Sequence, residues 1–259
     1  MNPDQYKVVI PSYQRAGTLA KKTIDMLGRH GIDPACISVV VADDQQAAEY
    51  KVALPQGSYS EILVGVPGMG AVRNWIQQYF ADDDLLWCVD DDIAELFERV
   101  DEKTKRPVED LHGFVVGAFK KCLETGFKLW GIYPVLNPFF MSDKTTTDLR
   151  YIIGCCWGCV NRRDLAFSVT LDDKEDFERT IKYYLADNGV LRFSSVAPAT
   201  NYYGEPGGMQ VERTEGRVTK SANLLVERYP DLCTLNLTKK SGHAEIRLKD
   251  IRIKGSVFF

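Results

Sequence analysis

The chain reads as an α/β fold built on a mixed, mostly parallel sheet flanked by helices. Three observations predict it. The first hundred residues repeat one unit: a short β-branched apolar run, a polar or Gly/Pro break, then a stretch of helical character. Such alternation lays helices over a parallel sheet. The run Ile37–Ala42 is apolar at every position after Ser38, as a strand covered on both faces requires. With 259 residues, 45% apolar and 26% charged, the chain is also long enough to bury a large core as one domain over 1–259.

The elements follow in order. Tyr6–Ile10 forms the first strand, and a helix from about Thr18 to Arg29 ends near Gly31. Ile37–Ala42 and Glu61–Val66 are the second and third strands, and a helix runs from about Ala71 to Tyr79. Leu85–Val89 is the fourth strand, running directly into Asp90-Asp91-Asp92. Further on, Tyr151–Val160 reads as a strand whose Gly154 and Gly158 admit a close backbone approach. A later helix carries Phe177, Ile181 and Tyr184 at helical spacing.

Net charge is -4, which excludes a protein held on nucleic acid by bulk positive charge. The ten Lys/Arg and seven Asp/Glu from Tyr203 to Phe259 nevertheless make that segment locally basic. No run reaches the roughly 18 apolar residues of a membrane span, and the N-terminus lacks the layout of a signal peptide. Seven cysteines suit a reducing compartment, so a cytoplasmic location is expected. Cys155, Cys156 and Cys159 contain a CxxC spacing, but no second pair accompanies it, and packing thiols are the better reading.

In open α/β sheets ligands bind beyond the carboxyl ends of strands, and each early strand here delivers polar or flexible residues to that place. Pro11-Ser12-Tyr13-Gln14-Arg15 follows the first, Asp43-Asp44 the second, and Gly68-Met69-Gly70-Ala71-Val72-Arg73-Asn74 the third. Each has a purely structural alternative: strand termination, helix capping or turn geometry. The acidic triplet is the sharpest signal. On an extended chain Asp90 and Asp92 project to one side and Asp91 to the other, and hard cations such as Mg²⁺ or Mn²⁺ favour carboxylate oxygens. The alternative is a solvated turn capping a helix that begins near Ile93. Asp82-Asp83-Asp84, which no apolar strand precedes, reads as an ordinary surface loop.

Taken together, these motifs resemble the nucleotide-binding half of the GT-A (Rossmann-like) glycosyltransferases, whose DxD motif chelates the metal on a nucleoside-diphosphate sugar. Val64-Gly65-Val66-Pro67-Gly68-Met69-Gly70, Gly131-Ile132-Tyr133-Pro134-Val135 and Lys240-Ser241-Gly242-His243-Ala244-Glu245-Ile246-Arg247-Leu248 are further similar to the TET-associated glycosyltransferase group. That group is related to the base J glucosyltransferases, is phage-encoded in many cases, and is taken to glycosylate hydroxymethylated pyrimidines in DNA. The resemblance implies a nucleotide-sugar half over 1–100, an acceptor half over 101–259, and a mobile loop at about 201–217.

Residue by residue, it implies that Pro11, Ser12, Tyr13 and Arg15 line the nucleotide pocket and that Asp43 or Asp44 reads the nucleobase edge. Gly70 and Arg73 meet the diphosphate or sugar, and Asp91 faces a sugar hydroxyl. Asp90 and Asp92, completed by His243, hold Mn²⁺ or Mg²⁺. Glu175-Asp176 resembles the acidic pair of inverting enzymes, which makes Asp176 the base that takes the acceptor's proton. Acidic residues at a helix start are also favoured by the helix dipole alone. Of the other histidines, His30 falls at a helix end and His112 at a helix start.

The implied reaction moves a sugar from a UDP-sugar to the hydroxyl of a 5-hydroxymethylpyrimidine in DNA. Trp157, Tyr203, Gly208 and Lys240 are then acceptor-binding, with Trp157 or Tyr203 stacking a flipped base. Phosphate contacts are expected among Arg213, Arg217, Lys220, Lys239 and Lys240. The alternatives are a GT-A transferase acting on a protein, glycan or lipid, and a catalytically inert nucleotide- or nucleic-acid-binding module of the same fold.

Overall fold

The computed structural model describes residues 1–200, 214–236 and 244–252. Its strands are β1 (Lys7–Pro11), β2 (Ile37–Val41), β3 (Glu61–Val64), β4 (Leu85–Val89), β5 (Glu95–Arg99), β6 (Lys105–Pro107), β7 (Leu129–Ile132), β8 (Thr145–Thr146), β9 (Cys156–Val160), β10 (Leu191–Phe193), β11 (Val196–Ala199), β12 (Cys233–Asn236) and β13 (Glu245–Leu248). The α-helices are α1 (Ala16–Leu19), α2 (Asp25–Arg29), α3 (Asp44–Ala53), α4 (Met69–Tyr79), α5 (Leu111–Thr125), α6 (Glu175–Asp187) and α7 (Glu215–Arg228). A π-helical turn, Ala20–Ile24, joins α1 to α2.

Eight strands form one sheet in the order β3-β2-β1-β4-β9-β7-β10-β8, beside a three-stranded sheet β11-β5-β6 and the hairpin β12-β13. Strands β1, β2, β3 and β4 pair in parallel. Strand β9 runs antiparallel to both β4 and β7, and β10 is parallel to β7. Six strands of the large sheet therefore run one way, and the chain leaves each of them at the same edge.

The apolar strand runs follow from helices on both faces. Successive residues of β1 divide between two cores: Val8 and Ile10 pack with Tyr50 and Phe119, and Val9 packs with Val40, Val72 and Ile76. Strand β4 alternates likewise, Trp87 and Val89 to the first core, Leu86 and Cys88 to the second. Each side chain buried this way contributes about 1.5–3 kcal/mol relative to exposure. Phe177, Ile181 and Tyr184 of α6 all face the second core, as their spacing predicts.

Several boundaries differ from expectation, each for a local reason. The strand expected from Tyr151 starts only at Cys156, because Ile152 N–H donates to the Thr180 hydroxyl of α6 (3.3 Å) instead of joining a ladder. No helix begins near Ile93. There the Ile93 N–H is taken by Thr23 Oγ1 (3.0 Å) and the Ala94 N–H by Ala199 O (2.9 Å), and the chain continues as strand β5. The glycines of the 151–160 segment do admit close approach. A side chain at Gly158 would meet the ring of Trp130, its cross-strand partner, at 2.2 Å, and one at Gly154 would meet Glu175 Oε1 at 3.1 Å. None of the seven cysteines is in a disulfide and six are buried, which agrees with packing thiols. Among the described residues no helix is long and apolar enough to cross a membrane.

Asp82-Asp83-Asp84 behaves as the surface loop expected. Its carboxylates go separately to the Arg163 N–H, Lys128 and Lys7, at 2.6, 2.7 and 2.6 Å.

Candidate active site

A cavity of about 320 Å³ opens where β1, β4 and the loop after β3 end. Its wall combines Pro11, Ser12, Tyr13 and Arg15 after β1 with all three residues of the acidic triplet after β4. Arg73 from α4, the segment Tyr151–Cys155, the acidic run before and into α6, and Thr200 after β11 complete it. Gly68, in that wall, has φ 96°, a left-handed conformation that only glycine adopts without strain. It turns the chain from β3 into α4, and α4 delivers Arg73.

The triplet lies in a turn, past the last ladder residue Val89, so the period of two does not continue through it. Asp91 turns inward, 5% exposed, where Ser12 Oγ donates to its Oδ2 (2.6 Å) and Arg15 Nη1 approaches its Oδ1 (3.3 Å). Ser12 spends its one proton on this carboxylate. Tyr50 OH, 2.7 Å from Ser12 Oγ, must then be the donor to Ser12, and it accepts the Arg15 N–H at 2.9 Å. Burial pushes the Asp91 carboxyl up to about 7, against the lowering effects of Ser12 and Arg15. Asp92 takes the Thr200 hydroxyl (2.8 Å) on Oδ1, with Arg15 Nη1 3.7 Å from Oδ2. Its carboxyl is likewise raised, by burial and then by Asp90. Asp90 accepts from Arg73 Nη2 (2.8 Å) on Oδ1.

Thr23 fixes this turn. Its hydroxyl donates to Asp90 O (2.7 Å) and accepts the Ile93 N–H (3.0 Å), spanning both ends of the triplet. It sits on the π-helical turn, a feature frequent at functional sites because the wide turn re-aims one side chain. Thr23 and Tyr50 escape sequence reasoning. Tyr50 follows no strand and carries no motif, and a π turn has no signature in a single sequence.

On the opposite wall, Arg73 is 6% exposed and is no surface arginine. It reaches Gly154 O (3.0 Å) as well as Asp90, and its Nε lies 3.6 Å from Glu175 Oε1. Burial works against its charge, and Asp90 and Glu175 outweigh that effect and raise its pKa. Its buried Nε and Nη1 have no hydrogen-bond acceptor. Glu175 also binds Arg179 Nη1 at 2.6 Å, which leaves Asp176 as the member of the pair whose carboxylate is not tied to an arginine among the described residues. Tyr151 OH donates to Asp176 Oδ2, and Asp176 Oδ1 accepts the Phe177 N–H (2.9 Å).

Some expected residues stand elsewhere. Asp43 caps α3, its two oxygens taken by the Gln46 N–H (2.8 Å) and the Gln46 side-chain amide (3.2 Å), and Asp44 lies in that helix's first turn. The cavity wall ends at Ala42 and includes neither. Gly70 stands behind the wall, its N–H donating to Asp172 Oδ1 (3.0 Å). Trp157 does not reach the cavity: it is 6% exposed and packed in the second core, with the Arg179 guanidinium 3.7 Å from its ring. Arg217, expected to contact phosphate, lies 3.2 Å from Asp173 and 3.6 Å from Asp172, and Lys220 is exposed. Arg213, Lys239 and the expected Tyr203, Gly208, Lys240 and His243 lie outside the described residues.

Among the described residues no group of three His, Cys, Asp or Glu is arranged to hold a metal ion. The chemistry of the donor set still suits a hard divalent cation. Seven carboxylates and two guanidiniums line the cavity, and Asp90 Oδ2 and Asp92 Oδ2 accept no hydrogen bond among the described residues. Carboxylates crowded in this way with raised pKa values are relieved by a cation.

No family model and no curated protein sequence matches the chain. Solved structures do share its fold. Residues 1–349 of S. aureus TarS are 17% identical with a TM-score of 0.51, covering 86% of this chain and 65% of that one. Mannosyl-3-phosphoglycerate synthase from Rubrobacter xylanophilus is 12% identical with a TM-score of 0.53, over 95% and 84%. Glucosyl-3-phosphoglycerate synthase from Mycobacterium tuberculosis, solved with Mn²⁺, UDP-glucose and phosphoglyceric acid, is 11% identical with a TM-score of 0.52, over 96% and 88%. This chain thus spans just under two thirds of the TarS fragment. At these identities the likeness is one of architecture: the chain has the mixed α/β fold of the GT-A glycosyltransferases.

Proposed function

We propose that the chain is a metal-dependent glycosyltransferase that moves a sugar from a UDP-sugar to the hydroxyl of a 5-hydroxymethylpyrimidine in DNA, with inversion. One observation carries the transferase reading. In a GT-A fold, the residues after β1, the acidic triplet after β4 and the Glu175-Asp176 pair all reach one cavity. Tyr13 and Arg15 take the nucleotide end of the donor, and Arg73 supplies buried N–H groups that lack an acceptor. Asp90 and Asp92, with His243, hold Mn²⁺ or Mg²⁺, and the bound ion supplies positive charge at the departing diphosphate.

Asp176 is the base. As the acceptor oxygen bonds to the anomeric carbon, its proton passes to Asp176 and the carbon–oxygen bond to UDP breaks, the electron pair leaving with the nucleotide. No separate nucleophile is required, so the configuration inverts. Both halves of the chain contribute, 1–100 the donor side and 101–259 the acceptor side, as a single unit. The DNA acceptor rests on the sequence resemblance and on the basic segment after Tyr203. Cysteines outside disulfides fit the reducing cytoplasm.

The test is UDP release from a panel of UDP-sugars, with and without hydroxymethylated DNA, followed by mass spectrometry of the nucleosides. A glycosylated hydroxymethylpyrimidine is the expected product. Turnover only with a protein, glycan or lipid removes the DNA acceptor, and no turnover with any donor or acceptor removes the transferase.

A further inference from the structure

Tyr151 and Asp176 meet in the cavity wall. Tyr151 lies in the segment before β9, its ring stacked on Phe177 at 4.2 Å and 17° between planes. Its hydroxyl donates to Asp176 Oδ2. The other carboxylate oxygen takes the Phe177 N–H. That backbone donor is fixed by the first turn of α6, so among the described residues the phenol is the one side-chain donor on this carboxylate.

The charges around it make such a donor consequential. On its own helix Asp176 adjoins Glu175, with Arg179 one turn on, and Lys174 precedes the helix with its Nζ over the Phe177 ring (5.5 Å). From α4 comes Arg73, and from the loops around the cavity come Asp172, Asp173 and the triplet. Neither arginine bonds Asp176: Arg179 binds Glu175 through Nη1 at 2.6 Å, and Arg73 binds Asp90 and Gly154 O, with its Nε 3.6 Å from Glu175. Asp176 is thus a carboxylate among carboxylates, held among the described residues by one phenol and one backbone N–H. The Tyr151 phenol is suited to this task, because burial and the charge of Asp176 hold it protonated far above the usual phenol range.

We propose that Tyr151 is a positioning residue that fixes the orientation of the Asp176 carboxylate and aims its remaining lone pairs into the cavity, keeping it ready to accept the acceptor's proton. This rests on the transferase reading above. Tyr151→Phe keeps the stacked ring and removes only the donor. The kcat of Tyr151→Phe should fall about tenfold, the scale of a charge-assisted hydrogen bond, while the KM for the UDP-sugar stays unchanged. Tyr151→Leu, which also loses the stack, separates packing from donation: it lowers the melting temperature, and Tyr151→Phe does not. A native kcat in Tyr151→Phe overturns the proposal. The carbon-13 shift of the Asp176 carboxyl at neutral pH, assigned with Asp176→Asn, is independent of turnover. It should move in Tyr151→Phe with loss of the phenol's hydrogen bond, and an unchanged shift overturns the proposal even if the native chain transfers no sugar, an outcome that would sink the transferase reading separately.

Discussion

Thr23→Val tests whether the acidic triplet is held by the helix beneath it. Valine keeps the shape of threonine but can neither donate to Asp90 O nor accept the Ile93 N–H, contacts now made at 2.7 and 3.0 Å. Thr23 and Ile93 are both 0% exposed, so water does not replace the lost partner. A buried polar group left unsatisfied costs about 1–3 kcal/mol. For the two groups, with some relaxation of the turn, the loss is about 2–4 kcal/mol. At roughly 2–4 °C per kcal/mol for a chain of this size, the melting temperature falls by about 4–16 °C. The turn carries the carboxylates assigned to the cation, so Mn²⁺ affinity measured by calorimetry below the transition falls as well. Thermal melts and calorimetry on the same preparation decide the matter. A valine variant that melts with the native chain and binds Mn²⁺ equally well refutes the clamp.

Three further outcomes are expected. Asp176→Asn lowers kcat by about 10²–10⁴-fold, the usual share of a general base, and leaves donor affinity intact by calorimetry; native kcat would remove Asp176 from the chemistry. Chelation abolishes transfer by the native chain and added Mn²⁺ restores it, whereas Asp92→Asn is not restored; activity unaffected by chelation would count against a metal. Gly154→Ala presses a methyl group against Glu175 Oε1 at 3.1 Å and Asp176 Oδ2 at 3.4 Å. It shifts the base by a few tenths of an ångström, and kcat is expected to drop about tenfold with little change in melting temperature, since misplacement by 1 Å costs on the order of 10²; unchanged kcat shows that the carboxylates move aside.

Much of this was legible because strands advertise both their burial and their exits. The apolar runs of β1, β2 and β4 located the sheet, and the residues after β1 and β4 do line the cavity. Asp43-Asp44 is ambiguous in sequence for a physical reason. A carboxylate after a strand and one before a helix look the same in sequence, and here helix capping claims Asp43. Trp157 misled because an aromatic between two glycines gives no sign of which face it takes. Register places Trp157 across from Gly131 and Cys88, and its ring lies under Arg179. The clamp by Thr23 joins residues 67 and 70 positions apart, the chain from Tyr50 to Asp91 joins side chains without a motif, and only the fold brings them together.

The geometry of the triplet alters what each aspartate can do. A continuing strand would pair Asp90 with Asp92 and send Asp91 away. The turn instead gives Asp91 and Asp92 a shared guanidinium, Arg15, while Asp90 answers to Arg73 across the cavity. Both Asp91 oxygens are engaged, by Ser12 and Arg15, so it is poorly placed to receive a sugar hydroxyl and well placed to anchor the β1 loop to the β4 loop. Asp90 and Asp92 each engage one oxygen firmly, at 2.8 Å, and the second oxygen of Asp92 meets only the distant Arg15 Nη1, at 3.7 Å. The three adjacent carboxylates thus divide into one that binds the two loops together and two that are held less fully and suit the proposed metal site. Replacing Asp91 by asparagine should therefore cost stability through the Ser12 and Arg15 contacts before it costs donor binding, the reverse of the order expected for Asp92.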